Sequence, residues 1–273
     1  MTILIDDVLA KLDPKTRARV QSAVDVEIHK QKTPSIGLNL ALHGGLGYGR
    51  QALVWGNKSA GKSSFCLQMI ALAQKEGKTC AWIDAEHSYS PEWAEQLGVD
   101  SSKLIYSPAK TVNDMVDVAA KLMEAEIDLI VVDSISALLP AIYFEKDGNE
   151  MKDLQDTKQI GAEANAIKSG VKVGDKIIEQ RVGRPVNWII DYNKLGPPNL
   201  SGQYDFYYQG DVLGVDRVGE TLDVAEMCGI VEKGGAWYTV NGERFQGRAK
   251  AVAYLKENPK IVEKLIEEIN AKY

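Results

Sequence analysis

A chain of 273 residues, 45% hydrophobic and 26% charged, has enough apolar content for one large α/β domain with a small appendage. No run approaches the roughly 18 apolar residues of a membrane-crossing helix, and the acidic start MTILIDDVLAKLD lacks the apolar core of an export signal, so neither membrane nor export is expected. The net charge of −6 argues against a body coated in positive potential, yet leaves room for a locally basic groove or a channel lined by several copies.

Residues 12–31 are charged and helical in composition, with too little apolar surface to form a core. They read either as a solvated arm or as a helix that packs on another subunit. QALVW (51–55) is a short apolar strand ending in Gly56, and a helical pattern runs from Lys62 to about Lys75. TCAWIDA (79–85) is a second strand. PEWAEQLG opens a helix with proline in its first turn. LIYS (104–107) is a third strand, and TVNDMVDVAAKLMEAE is a helix with Thr111 and Asp114 placed as a capping pair. IDLIVVDS (127–134) is a fourth, almost wholly apolar strand. Apolar strands alternating with helices predict a parallel sheet covered on both faces.

After Pro140 the character changes, and residues 144–170 carry charges and amides with no strand-like run. Strand signals return in VNWIIDYNK (186–194) and YDFYY (204–208). DRVGETLDVAEMCGI is a helix, GAWYTVNGERF a hairpin turning at Asn241-Gly242, and two helices close the chain, the second capped at Asn258-Pro259.

Cys66, Cys80 and Cys228 are scattered and odd in number, which predicts reduced thiols in the cytoplasm. Neither they nor His29, His43 and His87 show metal-ligand spacing. GNKSAGKS (56–63) fits G-x-x-x-x-G-K-S/T at every fixed position and lies between an apolar run and a helix. Its residues Gly56, Asn57, Lys58, Ser59, Ala60 and Gly61 would turn backbone N–H groups around phosphate oxygens, with Ser64 following at the helix start. Lys62 would meet the β- and γ-phosphates and Ser63 would ligate Mg²⁺. Asp133 ends the IVVD strand as a carboxylate beside that ion, or as a simple strand-end cap. Asp84 and Glu86, ending another strand, either orient and deprotonate a water or sit as solvated acids. Trp93 either stacks on a purine or packs half-buried, and Lys194 reads at this level as an exposed lysine.

GGLGYGR (44–50), GNKSAGKSS, CAWIDAEHSYSPEWAEQLGVD (80–100), IVVDSISALLP (130–140) and KGGAWYTVNGERFQGRAKAVAYLKENP (233–259) resemble the RecA family of recombinases in order and spacing. VGRPVNWIIDYNKLGPPN (182–199) looks most like the phage-borne members. The resemblance covers residues from about 34 to 272. It implies an α/β fold, a RecA-like P-loop ATPase core with a mostly parallel sheet, over residues 34–230. A small hairpin-and-helix cap over 231–273 follows that core, and an oligomerisation arm over 1–33 precedes it.

The resemblance also implies roles. Glu86 becomes the catalytic base, and Trp93 the adenine platform in place of a usual tyrosine, with Ser90 where bacterial members carry an aspartate. Lys194 matches one of two lysines that reach a neighbouring subunit's γ-phosphate, and Tyr192 stands in the other's place. The family's first DNA-binding loop matches residues 145–161, with Lys152 and Lys158 as phosphate contacts. ATP and Mg²⁺ are the implied cofactors. The implied partners are single-stranded DNA, homologous duplex DNA and further copies of the chain in a helical filament or ring.

One part of the family pattern is not found. After the first DNA-binding loop the family has a helix, a strand ending in an Asn-Gln pair, a second DNA-binding loop and another strand, which need on the order of 40–50 residues, and none of them is found between Glu163 and Lys172. The absent strand resembles the one lying between the phosphate-loop strand and the IVVD strand, so both should lose ladder partners. Three explanations stand open: a segment of the natural chain absent from this sequence, a true internal deletion, or residues 141–180 rebuilding the sheet another way. The expected function is ATP-dependent DNA strand exchange. The alternatives are an ATP-binding oligomeric remnant and a helicase-type motor, the latter disfavoured by the GAWY hairpin.

Overall fold

The computed structural model describes residues 8–17, 19–20, 27–135, 167–173 and 176–272. Of the charged segment 12–31, the described residues form the short helix α1 (Pro14–Arg17) and strand β1 (Lys30–Gln31). Helix α2 (Ile36–Ala41) follows, capped by Ser35, and β2 (Leu46–Gly47) pairs with β1.

Helix α3 (Lys62–Lys75), strand β3 (Cys80–Asp84), helix α4 (Pro91–Gln96), strand β4 (Leu104–Pro108), helix α5 (Val112–Glu124) and strand β5 (Leu129–Asp133) form the α/β layer. Its three strands are parallel in the order β4-β3-β5. The period-2 alternation of β3 sends its side chains to two different cores. Cys80 and Trp82 pack with Leu67, Ile70 and Ala94 from α3 and α4, whereas Ile83 packs with Met115, Val118 and Leu122 of α5. Covering both faces explains why all five residues of β3 are buried. Thr111 caps α5 by accepting from the Asp114 N–H at 3.1 Å, as its spacing predicts.

Residues 51–55 are not a strand. Leu53 is 76% exposed and Trp55 70% exposed, and among the described residues no strand pairs with this segment or with the outer edge of β5. An extended apolar run becomes a strand only when a neighbour takes its N–H and C=O groups. A cavity of about 140 Å³ lies beside the start of this segment, lined mostly by Gln31 and residues 46–50, with Gln51, Ala52, Met69, Asp128 and Leu129 closing it.

A second sheet has the order β6-β7-β8-β9, from β6 (Ile167–Val173), β7 (Lys176–Ile190), β8 (Leu200–Tyr207) and β9 (Gly214–Val215), all antiparallel. Residues 167–170 are thus strand rather than the loop their composition suggests, and β7 begins ten residues before the VNWII signal. Pairing across a hairpin overrides weak propensity there, since each strand satisfies the other's backbone. Residues 191–194 fall outside β7. The Asn199 N–H returns to the Ile190 carbonyl at 2.6 Å, closing a loop around Pro197 and Pro198.

Helix α6 (Arg217–Met227) leads to β10 (Glu232–Gly234), β11 (Trp237–Val240), β12 (Glu243–Gln246) and helices α7 (Arg248–Glu257) and α8 (Pro259–Lys272). Asn241 and Gly242 both hold positive φ, 50° and 83°, the geometry of a type I′ turn. Leu222, Val240, Leu255 and Ile269 bring α6, the hairpin and both closing helices into one core, which Ile36 of α2 joins. The Asn258 side-chain amide donates to the Tyr254 carbonyl of α7, and its backbone carbonyl accepts from the N–H groups of Ile261 and Val262 in the first turn of α8. No helix of the described residues is long and apolar enough to cross a membrane.

Candidate active site

The loop 56–61 turns through left-handed backbone at Gly56 (φ 150°), Ser59 (φ 58°) and Gly61 (φ 87°) before α3 begins at Lys62. Backbone of this kind lets a loop turn successive N–H groups to one side, and the start of α3 adds its positive dipole end. The Lys62 ammonium donates back to the carbonyls of Gly56 (3.1 Å) and Asn57 (3.0 Å), folding across the mouth of the loop. Lys58 lies exposed on the rim.

Parallel pairing of β3 with β5 sets Asp84 opposite Asp133 at the carboxyl ends of the two strands, the end at which open α/β sheets bind ligands. The two acids differ sharply. Asp84 is buried and fully engaged, accepting from the N–H groups of Ser88 (3.3 Å) and Tyr89 (3.0 Å) and from the Tyr106 hydroxyl (3.1 Å). It braces the turn after β3. Glu86 is exposed, and its Oε1 accepts from the Ser134 hydroxyl at 2.5 Å. The N–H groups of Ala85 and Glu86 both donate to the Asp133 carbonyl, at 2.8 and 3.2 Å. Glu86 is therefore fixed to the end of β5 by backbone and side chain together.

Asp133 carries a buried Oδ2 with no hydrogen-bond partner. Burial holds its carboxyl above the usual aspartate range. The Ser63 hydroxyl and Lys62 pull it down, while Glu86 and Asp84 push it up. Burial, with help from Asp133, also lifts the nearby Cys66 thiol to about 12. A buried carboxylate oxygen left open beside a serine hydroxyl suits a hard divalent cation that takes its remaining ligands from water and phosphate. Among the described residues no group of three His, Cys, Asp or Glu side chains converges on a metal, so the fit is to that mixed coordination and not to an all-protein cage.

Trp93 is half-buried on α4, and its indole N–H donates to the Ser64 hydroxyl at 3.1 Å, which ties it to the first turn of α3. Ser90 caps α4 by accepting from the Trp93 N–H at 3.2 Å. Lys62, Ser63, Ser64, Glu86, Trp93 and Asp133 thus gather at one end of the sheet. Lys194 and Tyr192 lie away from this cluster in the loop after β7. Both are exposed, and among the described residues no hydrogen bond or ion pair holds Lys194. Lys152 and Lys158 lie outside the described residues.

Two residues at the site carry no motif signal. Ser134 follows the strand-end aspartate, and Arg184 of β7 donates to the Ser59 carbonyl within the phosphate loop. The position of Ser134 one residue past Asp133 could have suggested a contact. Nothing local could have suggested Arg184, since the pair is 125 residues apart.

Residues 10–184 match the RecA N-terminal domain, and residues 219–273 the RecA C-terminal domain. The chain belongs to the RecA family. Protein RecA of Rickettsia bellii (strain RML369-C) is 32% identical over 302 aligned positions, covering 91% of this chain and 86% of that protein. Protein RecA of Haemophilus ducreyi is 34% identical over 296 positions, with 89% and 78% covered. Protein RecA of Brucella canis is 32% identical over 288 positions, with 88% and 79% covered. RecA-family membership rests on both terminal regions of the chain, and the parallel sheet β4-β3-β5 with its flanking helices lies within the N-terminal match.

Proposed function

We propose that this chain is an ATP- and Mg²⁺-dependent DNA recombinase that assembles on single-stranded DNA and promotes homologous pairing and strand exchange. The observation that carries the reading is the convergence of Lys62, Glu86 and the open Asp133 oxygen around one phosphate-binding loop. In this reading the loop amides and Lys62 hold the β- and γ-phosphates, Ser63 and Asp133 hold Mg²⁺, and Trp93 flanks the adenine. Mg²⁺ bound there neutralises phosphate charge. Glu86 takes the proton of the attacking water, and its tether to Ser134 keeps the carboxylate over the loop. Lys194, which no hydrogen bond or ion pair holds among the described residues, supplies a cation to the γ-phosphate of the next copy, which makes hydrolysis depend on assembly.

In the same proposal residues 1–33 are the arm that docks on a neighbour, 34–230 the ATPase core and 231–273 the cap. Lys152 and Lys158 contact DNA phosphates, and the likeness of 182–199 to phage-borne members marks the branch of the family. ATP hydrolysis measured with and without single-stranded DNA tests the reading: stimulation by DNA that vanishes in Glu86→Gln supports it, and hydrolysis indifferent to DNA overturns it.

A second reading, an ATP-binding oligomeric protein without strand exchange, is favoured by a separate set of observations. The alignment to the Rickettsia bellii protein spans 302 positions yet takes in 91% of a 273-residue chain, so about 50 positions are filled by the relative alone. The exposed segment 51–55 and the edge of β5, which no strand among the described residues pairs with, are what loss of an intervening strand would leave. A strand-exchange assay on homologous DNA separates the two: ATP binding without joint-molecule formation selects the second.

A further inference from the structure

We infer that Arg184 is a positioning residue for the phosphate loop, acting within the same chain through the Ser59 carbonyl. The inference rests on the nucleotide-binding reading of that loop. A loop that turns its amides inward around a phosphate must turn some carbonyls outward, and each outward carbonyl needs a donor. Ser59 stands in left-handed backbone (φ 58°) at the crest of the loop, and its carbonyl is met by the Arg184 guanidinium. That bond is charge-assisted, so it holds the peptide unit more firmly than a neutral donor would.

The contact is part of a larger clamp. Arg184 pairs across the sheet with Phe206 of β8. The Phe206 ring lies 3.8 Å from where a side chain at Gly61 would begin. One cross-strand pair therefore touches the loop at both Ser59 and Gly61, two of its left-handed residues. The next strand continues the hold, with the Val215 N–H of β9 donating to Gln68 Oε1 of α3 at 3.0 Å. β7 and β8 are paired without interruption from Gly183 to Ile190, a stiff support for such contacts.

Arg184 and Lys62 play different parts. Lys62 bonds to the carbonyls of Gly56 and Asn57 and must release them to reach a phosphate. Arg184 holds the opposite flank and has no reason to move. Among the described residues no carboxylate pairs with it, so its charge is not committed to a surface ion pair. A brace of this kind shapes the amide cradle for the β-phosphate. It acts on nucleoside triphosphate and diphosphate alike, since both carry the β-phosphate.

The test measures binding of fluorescent ATP and ADP analogues, with Mg²⁺, to the full chain and to Arg184→Ala, Arg184→Gln and Arg184→Lys. Arg184→Ala should weaken both nucleotides by about tenfold, with Arg184→Lys recovering most of the loss. Should Arg184→Ala fail to fold, Arg184→Gln gives the same reading. Unaltered affinity in the variant that folds overturns the inference, and so does a loss confined to ATP, which would mean direct contact with the γ-phosphate. Lys62→Ala is the control on the site itself. If the unsubstituted chain binds neither nucleotide, or Lys62→Ala binds as well as it does, the site reading and this inference fall together.

Discussion

The Ser134 hydroxyl donates to Glu86 Oε1 at 2.5 Å, joining the residue after β5 to the turn after β3. Through this bond the carboxylate is aimed by a neighbouring strand end rather than by its own loop. Glu86→Gln keeps an oxygen for Ser134 to bond but cannot take a proton. Hydrolysis should fall by roughly 10²–10⁴-fold with nucleotide affinity little changed, as single-turnover and equilibrium binding measurements would show. Ser134→Ala leaves the base present and its aim loose, so its loss of rate should be smaller. An equal loss in the two variants would make Ser134 a reacting group in its own right.

Asp133 sits at a cost to stability. Its carboxyl is raised chiefly by burial and next by the acids Glu86 and Asp84, and its Oδ2 has no partner. A folded-state pKa above the unfolded value means the folded chain binds that proton more tightly. The stability this provides is present at low pH and lost as pH climbs from the ordinary carboxylate range through the raised value. Asp133→Asn removes the charge, so it should raise the melting temperature by a few degrees at neutral pH, with the gain vanishing near about pH 4. The same variant should lose the Mg²⁺ dependence of nucleotide binding. A melting temperature that falls at neutral pH would show the carboxylate to be structural.

Local chemistry made much of this legible in advance. Asn241-Gly242 specifies its turn through φ alone, Thr111 caps α5 from three residues away, and the spacing of Gly56, Gly61, Lys62 and Ser63 fixes a loop of contiguous residues. What sequence hid depends on partners distant in the chain. Residues 51–55 read as a strand because Leu53, Val54 and Trp55 are apolar, but a ladder needs a neighbour that the described residues do not provide. The strand signal begins only at Val186, yet pairing with β6 and β8 carries β7 back to Lys176. Arg184 carries its role only because β7 passes the phosphate loop.

Lys194 lends itself to a complementation experiment. It is exposed, and among the described residues nothing in its own chain holds it. If it serves a neighbour's site, Lys194→Ala and Glu86→Gln chains are each defective for different reasons. In a mixed assembly, a Lys194→Ala site beside a Glu86→Gln copy receives an intact lysine and keeps its own base. The mixture should hydrolyse ATP faster than either variant alone, rising with the fraction of mixed interfaces. A mixture no faster than the average of its components would remove Lys194 from the neighbour's site.

The open flank of β5 makes a prediction about backbone protection. β3 is bonded on both sides and buried throughout, so its amides should exchange with solvent only on global opening. β5 is bonded to β3 alone, and residues 51–55 have no ladder at all among the described residues. Amide hydrogen exchange should therefore be slow at 80–84, intermediate at 129–133 and fast at 51–55, despite the apolar character of all three runs. Adding ATP and Mg²⁺ should slow exchange in the loop 56–61 and at the start of α3, where the amides face phosphate, and leave 51–55 fast. Strong protection of 51–55 without nucleotide would mean that another strand fills the cavity beside Gln51, Ala52 and Leu129. The exposed run 51–55, one of the observations that favour the reading without strand exchange, would then no longer support it.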